Sequence, residues 1–156
     1  MSVSIQKAVG EDIPLIHTMQ VKAFMPILDI YHDYDLSPAA EGPERIAKRF
    51  EQPFTTYWLI MADGKPVGSV RVCDFGERCR ISPIFILPEH HGNGYGQQAI
   101  ILAEAAYPDA AVWELDTIKQ ETGLCRMYER LGYVATGKIE HIKDGMDIVF
   151  YEKKTK

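Results

Sequence analysis

Gly92, Gly94 and Gly96 stand at alternate positions in the run Leu87-Pro-Glu-His-His-Gly-Asn-Gly-Tyr-Gly-Gln-Gln98. Glycines at that spacing leave the main chain nearly bare, so several N–H groups can turn toward one anion. The run sits between a strongly apolar strand pattern and a strongly apolar helical pattern, and the helix that follows adds the partial positive charge of its N-terminus. A phosphate or pyrophosphate suits this chemistry, and a flexible turn is the plain alternative. Gly96-Gln97-Gln98 stands where a nucleotide P-loop needs Gly-Lys-Ser/Thr, which argues against Walker-type phosphate chemistry. A dinucleotide fingerprint needs G-x-G-x-x-G, which is not met, although Glu114 lies at the remove of a ribose-binding acid and keeps that alternative open.

The elements around the loop follow from periodicity. Val3 to Val9 alternates as a strand, and Glu11-Asp12 opens a helix carrying Ile16, Met19 and Ala23 on one face, with Met25-Pro26 limiting its continuation. Ile27 to Pro43 lacks a clear period and reads as a loop or short helical turns. Glu44 to Phe50 is a second helix. Thr56 to Ala62 and Val67 to Val72 form a hairpin through Asp63-Gly64-Lys65-Pro66. A turn at Asp74 to Glu77 leads into the strand Arg80 to Leu87, where Pro83 lacks a backbone donor and signals an edge, a bulge or a splayed stretch. Gln97 to Tyr107 is a helix apolar on most sides, Ala111 to Thr117 a strand, and Thr122 to Leu131 a helix closed by Gly132. Tyr133 to His141 and Met146 to Glu152 form a last hairpin. The order is β-α-α-β-β-β-α-β-α-β-β, an α/β (α+β) arrangement in one mixed sheet.

Composition narrows the function classes. A chain of 156 residues with 46 % hydrophobic and 25 % charged side chains reads as a single folded domain spanning residues 1–156. Seventeen basic residues against 22 acidic ones, a net charge of −5, argue against a phosphate-tracking nucleic-acid surface. No export signal or run of about 18 apolar residues is seen, so the expectation is a cytoplasmic protein without a membrane span. Cys73, Cys79 and Cys125 lack paired zinc or redox spacing and read as free, mostly buried thiols. No metal is expected.

Ile84 to Gln97 resembles motif A of the GNAT N-acetyltransferases, in which a strand ending in apolar residues and Pro precedes R/Q-x-x-G-x-G/A and a helix. His91 to Gly96 matches at both defining glycines, with His91 replacing the usual Arg or Gln. Cys125-Arg-Met-Tyr-Glu-Arg-Leu-Gly-Tyr133 is similar to motif B, A-x-x-L-Y-E-K-L-G-F. The resemblance extends through the element order to nearly the whole chain, with these two stretches as its specific part. It implies a mostly antiparallel sheet of about seven strands flanked by about four helices. It also implies acetyl-CoA as co-substrate, its pyrophosphate on His91, Gly92, Asn93, Gly94, Tyr95, Gly96 and Gln97. The backbone of Phe85, Ile86 and Leu87 would pair with the pantetheine arm like an added strand. Arg126 and Arg130 are candidates for CoA phosphates. Glu121 stands where many members carry an Asn that touches the cofactor.

The same resemblance assigns Tyr128 to the leaving group. A CoA thiolate has a solution pKa near ~8.5, so a phenol within reach can protonate it as an amine attacks the thioester. A core aromatic with a satisfied hydroxyl is the other reading of Tyr128. The attacking amine must be neutral, and an alkylammonium with pKa near ~10.4 calls for a base or a water chain. Glu77, Glu114 and Asp116 are the candidates, with Asp74 and His141 behind them, because Arg80 stands where some members carry a carboxylate. Tyr31, His32, Asp33, Tyr34 and Asp35 are candidates for acceptor contact, as acids suit a cationic amine and aromatic faces stack on it. The expected acceptor is a small-molecule or peptide amine, and the expected assembly a monomer or homodimer. A non-catalytic acyl-CoA binding or sensing module is the alternative function.

Overall fold

The computed structural model describes residues 2–156. Its elements are β1 (Val3–Lys7), α1 (Ile13–Tyr31), α2 (Pro43–Phe50), β2 (Thr55–Ala62), β3 (Lys65–Asp74) and β4 (Arg78–Ile86). They continue as α3 (Tyr95–Ala106), β5 (Val112–Ile118), α4 (Thr122–Arg130), β6 (Val134–Lys143) and β7 (Met146–Lys154). One seven-stranded sheet runs in the order β1-β2-β3-β4-β5-β7-β6. Every neighbouring pair is antiparallel except β4 and β5. The expected order of elements and the expected α/β sheet are both present.

Strand alternation splits the apolar residues between two faces. Tyr57 and Leu59 of β2 join Ile16, Met19 and Ile46 beneath α1 and α2. Trp58, Ile60 and Ala62, the residues between and after them, face α3 with Ala99, Ile100 and Ala103. The β2–β3 hairpin turns on Asp63 and Gly64, whose φ angles of 51° and 81° are those of a two-residue turn that needs left-handed residues at both centres.

Helix α1 corrects the sequence reading. It does not stop at Pro26 but runs to Tyr31. Pro26 and Lys22 are both exposed, so the carbonyl of Lys22, left without its helical donor, lies on the solvent side. On the other side Leu28 is buried and Phe24 sets its ring edge-on against Phe85 at 5.7 Å. Packing overrides the local penalty. The helix ends at His32, which is left-handed with φ of 55°, and a short 3-10 turn, Pro38–Ala40, follows before α2.

The irregularity expected at Pro83 is a bulge followed by a splay. Val72 pairs with Ile81 but Val70 pairs with Ile84, so two residues of β4, Ser82 and Pro83, stand against Arg71 alone. The extra residue reverses the facing: Cys79 and Ile81 point to the α3 side, as do Ile84 and Ile86, although their parity differs. Ser82–Pro83 is a cis peptide. Arg71, directly across, donates through Nη1 to the Ser82 carbonyl at 2.8 Å and through Nη2 to Gln52 at 3.1 Å, holding the bulge in place. Pairing between β4 and β5 is confined to Arg78–Arg80 against Val112–Glu114. Beyond that point the two strands part.

Candidate active site

Where β4 and β5 part, the outward edge of β4 has no strand to bond. Its inner edge is occupied by β3, which pairs Ile84, Phe85 and Ile86 with Val70, Ser69 and Gly68. An extended chain of alternating donors and acceptors fits such an edge by strand addition. Of the three residues expected there, Phe85 and Leu87 have buried side chains and Ile86 is half-buried. The Ile86 carbonyl is bonded to His91 Nε2 at 2.8 Å, so the His91 ring folds back on the strand end.

The strand leads through a 3-10 turn, Pro88–His90, into the glycine loop. Gly92 and Gly94 take φ of 84° and 75°, conformations that side chains resist, and this is the local reason for glycine at both positions. Asn93 closes the loop by donating from Nδ2 to the His90 carbonyl at 3.0 Å. Gly94 is the N-cap of α3 and no side chain caps the helix. The first helical bond runs from Gln98 N to Gly94 O, so the amides of Gly96 and Gln97 precede the helical ladder and project from its positive end. His91 to Gly94 are exposed, Gly96 and Gln97 half-buried and Tyr95 buried. An uncapped, glycine-lined helix N-terminus beside an unpaired strand edge fits a diphosphate joined to an amide-bearing arm. A Cβ placed on Gly96 would lie 3.6 Å from Met127 Sδ and 3.8 Å from Ile86 Cγ1, so the first turn of α3 sits between β4 and α4.

A cavity of about 500 Å³ extends from the splay. Ile81 to Ile84 of β4, Leu115 to Ile118 of β5, Leu124 and Tyr128 of α4, and residues of α1, β6 and β7 line it. Tyr128 is 5 % exposed and packs at 6.3 Å from the rings of both Tyr133 and Tyr151. Its neighbours give their hydroxyls away: Tyr133 donates to Glu104 at 2.8 Å and Tyr151 to Glu129 at 2.8 Å. The Tyr128 hydroxyl has no hydrogen-bond partner among the described residues. Burial first, and then the Asp116 carboxylate, raise its pKa above that of an ordinary phenol. The proton therefore stays on oxygen throughout the neutral range.

The carboxylates expected to serve as base are mostly committed elsewhere. Glu77 is exposed in the β3–β4 turn, where its own carbonyl accepts from the amides of Ala111 and Val112. Glu114 accepts from Arg78 Nη1 at 2.6 Å and does not line the cavity. Asp116 does line it, but is paired with Arg80. Asp74 accepts from the Gly76 amide at 2.9 Å, and His141 bonds Asp147 at 2.8 Å. Arg126 and Arg130 are exposed on α4.

Of the five acceptor candidates only Asp33 lines the cavity. Tyr31 donates to Glu121 at 2.6 Å, tying the end of α1 to the start of α4. Burial, and then that carboxylate, push its pKa up to about 12. His32 and Tyr34 stack on each other 6.2 Å apart, and Tyr34 and Asp35 are exposed. The segment carrying Asp33 is braced from behind. Arg49 grips both oxygens of Glu41 at 2.9 and 2.8 Å, and Gln20 donates to Glu41 at 3.0 Å and to the Pro38 carbonyl at 2.9 Å. Burial alone would raise the Glu41 pKa, but these bonds more than offset it and hold the carboxyl below its usual range.

Sequence reasoning missed three residues. Arg71 shapes the bulge. Lys138 and Glu140 bring β6 to the cavity, where Lys138 Nζ stands 4.4 Å above the Phe150 ring. The signal for β6 was Gly137, an isolated glycine in a strand pattern and a common mark of a bulge. Ala135 pairs with Tyr151 and Ile139 with Val149, so three residues of β6 stand against Phe150 alone. Among the described residues no cluster of three or more His, Cys, Asp or Glu is placed to hold a metal ion.

Comparison with known proteins agrees with this fold. The family model of the acetyltransferase (GNAT) family matches residues 24–133. The uncharacterized protein YrkN of Bacillus subtilis is 27% identical over 118 residues, 74% of this chain and 63% of that protein, so the match spans under two thirds of the relative's length. The ribosomal-protein-S18-alanine N-acetyltransferase of Escherichia coli superposes with a TM-score of 0.77 at 14% identity, over 98% of this chain and 94% of that one. The spermidine N-acetyltransferase of Vibrio cholerae, solved with CoA and spermine, superposes with a TM-score of 0.77 at 16% identity, over 97% and 95%.

Proposed function

The chain belongs to the acetyltransferase (GNAT) family, and from that premise we propose that it transfers the acetyl group of acetyl-CoA to a primary amine of a small molecule or peptide by direct attack in a ternary complex. The observation that carries this reading is the phenol of Tyr128. It lines the cavity at the splay, keeps its proton at neutral pH, and has no partner for its hydroxyl among the described residues. A tyrosine serving only the core would hold an acceptor, as Tyr133 and Tyr151 do.

Acetyl-CoA supplies an activated acyl group on a thiol leaving group. The amides of Asn93, Gly94, Tyr95, Gly96 and Gln97, with His91 and Gly92 completing the loop, hold the diphosphate. The outer edge of the chain at Phe85, Ile86 and Leu87, which β5 does not pair, aligns the amide-bearing arm, and Arg130 adds a cation for a phosphate. Tyr128 donates its proton to sulfur as negative charge develops there, which counters a thiolate of pKa ~8.5. The bulge at Ser82–Pro83, pinned by Arg71, keeps β4 and β5 apart so that the thioester end and the amine meet beside Tyr128.

The test is release of free thiol from acetyl-CoA across a panel of arylalkylamines, polyamines, amino acids and peptides. Thiol release with at least one amine class, matched by acetylated product, is expected. One specific observation favours a second reading, a non-catalytic acyl-CoA sensor: Arg80 neutralises Asp116, the one base candidate among Glu77, Glu114 and Asp116 that lines the cavity. That reading requires stabilisation by CoA, about 2.7 kcal/mol at a hundredfold excess over Kd, with no thiol release under any acceptor.

A further inference from the structure

Of the three carboxylates that line the cavity, Asp116 is paired with Arg80, while the side chains of Asp33 and Glu140 have no hydrogen bond or ion pair among the described residues, and of these two Glu140 is exposed and Asp33 half-buried. Oδ1 of Asp33 is withdrawn from solvent and has no hydrogen-bond donor among the described residues, and Asp33 lines the same cavity as Asp116 of β5 and Tyr128 of α4. A carboxylate oxygen removed from water without a donor is destabilising unless a ligand supplies the missing N–H. It sits on a braced wall, since Ser37 and Leu36 donate their amides to the Asp33 carbonyl and the Glu41–Arg49–Gln20 network holds the following turn.

The other charges facing the cavity define what that ligand carries. Arg80 and Asp116 cancel each other. Lys138 from β6 offsets one of the two remaining carboxylates, Asp33 and Glu140, so one negative charge is left over. The rest of the wall is apolar, with Phe24, Ile27, Leu36, Ile142, Ile148 and Phe150. A cavity of about 500 Å³ is a small-molecule volume. A polyamine would bring several charges to a surface that answers one.

We propose that the acceptor is a primary monoamine with an apolar body, aryl- or branched-alkyl, whose ammonium docks on Asp33, and that Asp33 takes its proton. This rests on the acetyltransferase reading and names the acceptor side of it. The step balances as follows. The ammonium gives one proton to Asp33 and becomes a neutral amine. Its lone pair forms the C–N bond, the C–S bond breaks, and the electron pair leaves on sulfur, which takes the Tyr128 proton. The second proton of the nitrogen restores the phenol, and Asp33 releases its proton to solvent.

The experiment is calorimetric titration of 2-phenylethylamine, 2-phenylethanol and spermidine into the wild-type chain and Asp33→Asn, with and without CoA, alongside thiol release from acetyl-CoA. Phenylethylamine binding is expected to weaken at least tenfold in Asp33→Asn and to recover in part in Asp33→Glu, while phenylethanol binds both chains alike. Turnover of Asp33→Asn should rise tenfold per pH unit as free amine accumulates, against a flat wild-type profile around neutral pH. A structural role for Asp33 would not produce that slope. Equal binding of phenylethylamine by wild type and Asp33→Asn, no binding by wild type, or spermidine bound tenfold more tightly, would each overturn the proposal. Amine binding that depends on Asp33 in a chain that releases no thiol with any amine would leave the docking site standing and remove the transferase reading instead.

Discussion

The two sides of the cavity are made by different means. On one side, the edge of β4, the glycine loop and the first turn of α3 present main-chain groups, shaped by left-handed glycines at 92 and 94 and by a bulge at Ser82–Pro83. On the other, α1, the turn after it and the β6–β7 hairpin present side chains: Asp33, Lys138, Glu140 and Phe150. Backbone geometry serves any ligand with the same diphosphate and arm. In the proposed function, side chains brought together from residues 33 and 138 recognise one acceptor and are free to change without disturbing the first side. One fold can therefore keep its co-substrate while exchanging its acceptor.

That contrast makes separable demands on mutants. Tyr128→Phe acts where the two sides meet and should show the largest effect. A loss of about 10²–10⁴ in kcat is expected for removing a general acid, with acetyl-CoA affinity unchanged by calorimetry. The same residue sets the alkaline behaviour. A phenol with a raised pKa stays protonated as pH increases, so kcat/KM for the wild type should show no descending limb below about pH 10, the value for an ordinary tyrosine. Gly94→Val tests the main-chain side. Forcing a side chain into a left-handed conformation costs about 1–2 kcal/mol, so CoA should bind roughly tenfold more weakly, with amine binding untouched.

Glu41→Gln tests the side-chain side at a distance. Breaking its bidentate contact with Arg49 leaves a partly buried cation short of its partner, and a loss of about 1–3 kcal/mol in unfolding free energy is expected. The carboxyl is held below its usual range in the folded chain, so its contribution is complete above the unfolded value near ~4.3 and disappears as pH falls through the lower folded value. The wild type and Glu41→Gln should therefore differ in Tm at pH 7 and converge in acid. Glu77→Gln, on an exposed turn outside the cavity, should leave turnover and Tm unchanged. A clear loss of turnover there would merge the two sides and break the comparison.

The legibility of each side follows from how it is built. Gly92, Gly94, Gly96 and Pro83 announce backbone conformations that few other residues adopt, so the loop, the helix after it and the irregular strand were readable from local spacing. The alternation of Thr56 to Ala62 and the helical period of Thr122 to Leu131 gave the sheet and α4 in the same way. Asp33 was readable only as one of five mixed residues, because what distinguishes it is the absence of a donor in three dimensions. Arg80 cancelling Asp116 and Arg78 taking Glu114 are cross-strand pairings set by the parallel register of β4 and β5, which no local pattern specifies. The end of α1 was misplaced at Pro26 for a related reason. A proline on the solvent face of a helix is tolerated when Leu28 and Phe24 are held by the sheet, and that packing is a tertiary fact.

Hydrogen exchange of the backbone amides, compared with and without saturating CoA, tests the main-chain cradle most directly. Slowed exchange confined to the glycine loop, residues 92–98, and to the outer edge of β4 around residues 82–87 is the predicted result. Unchanged exchange in both stretches, with the coenzyme bound, would contradict it.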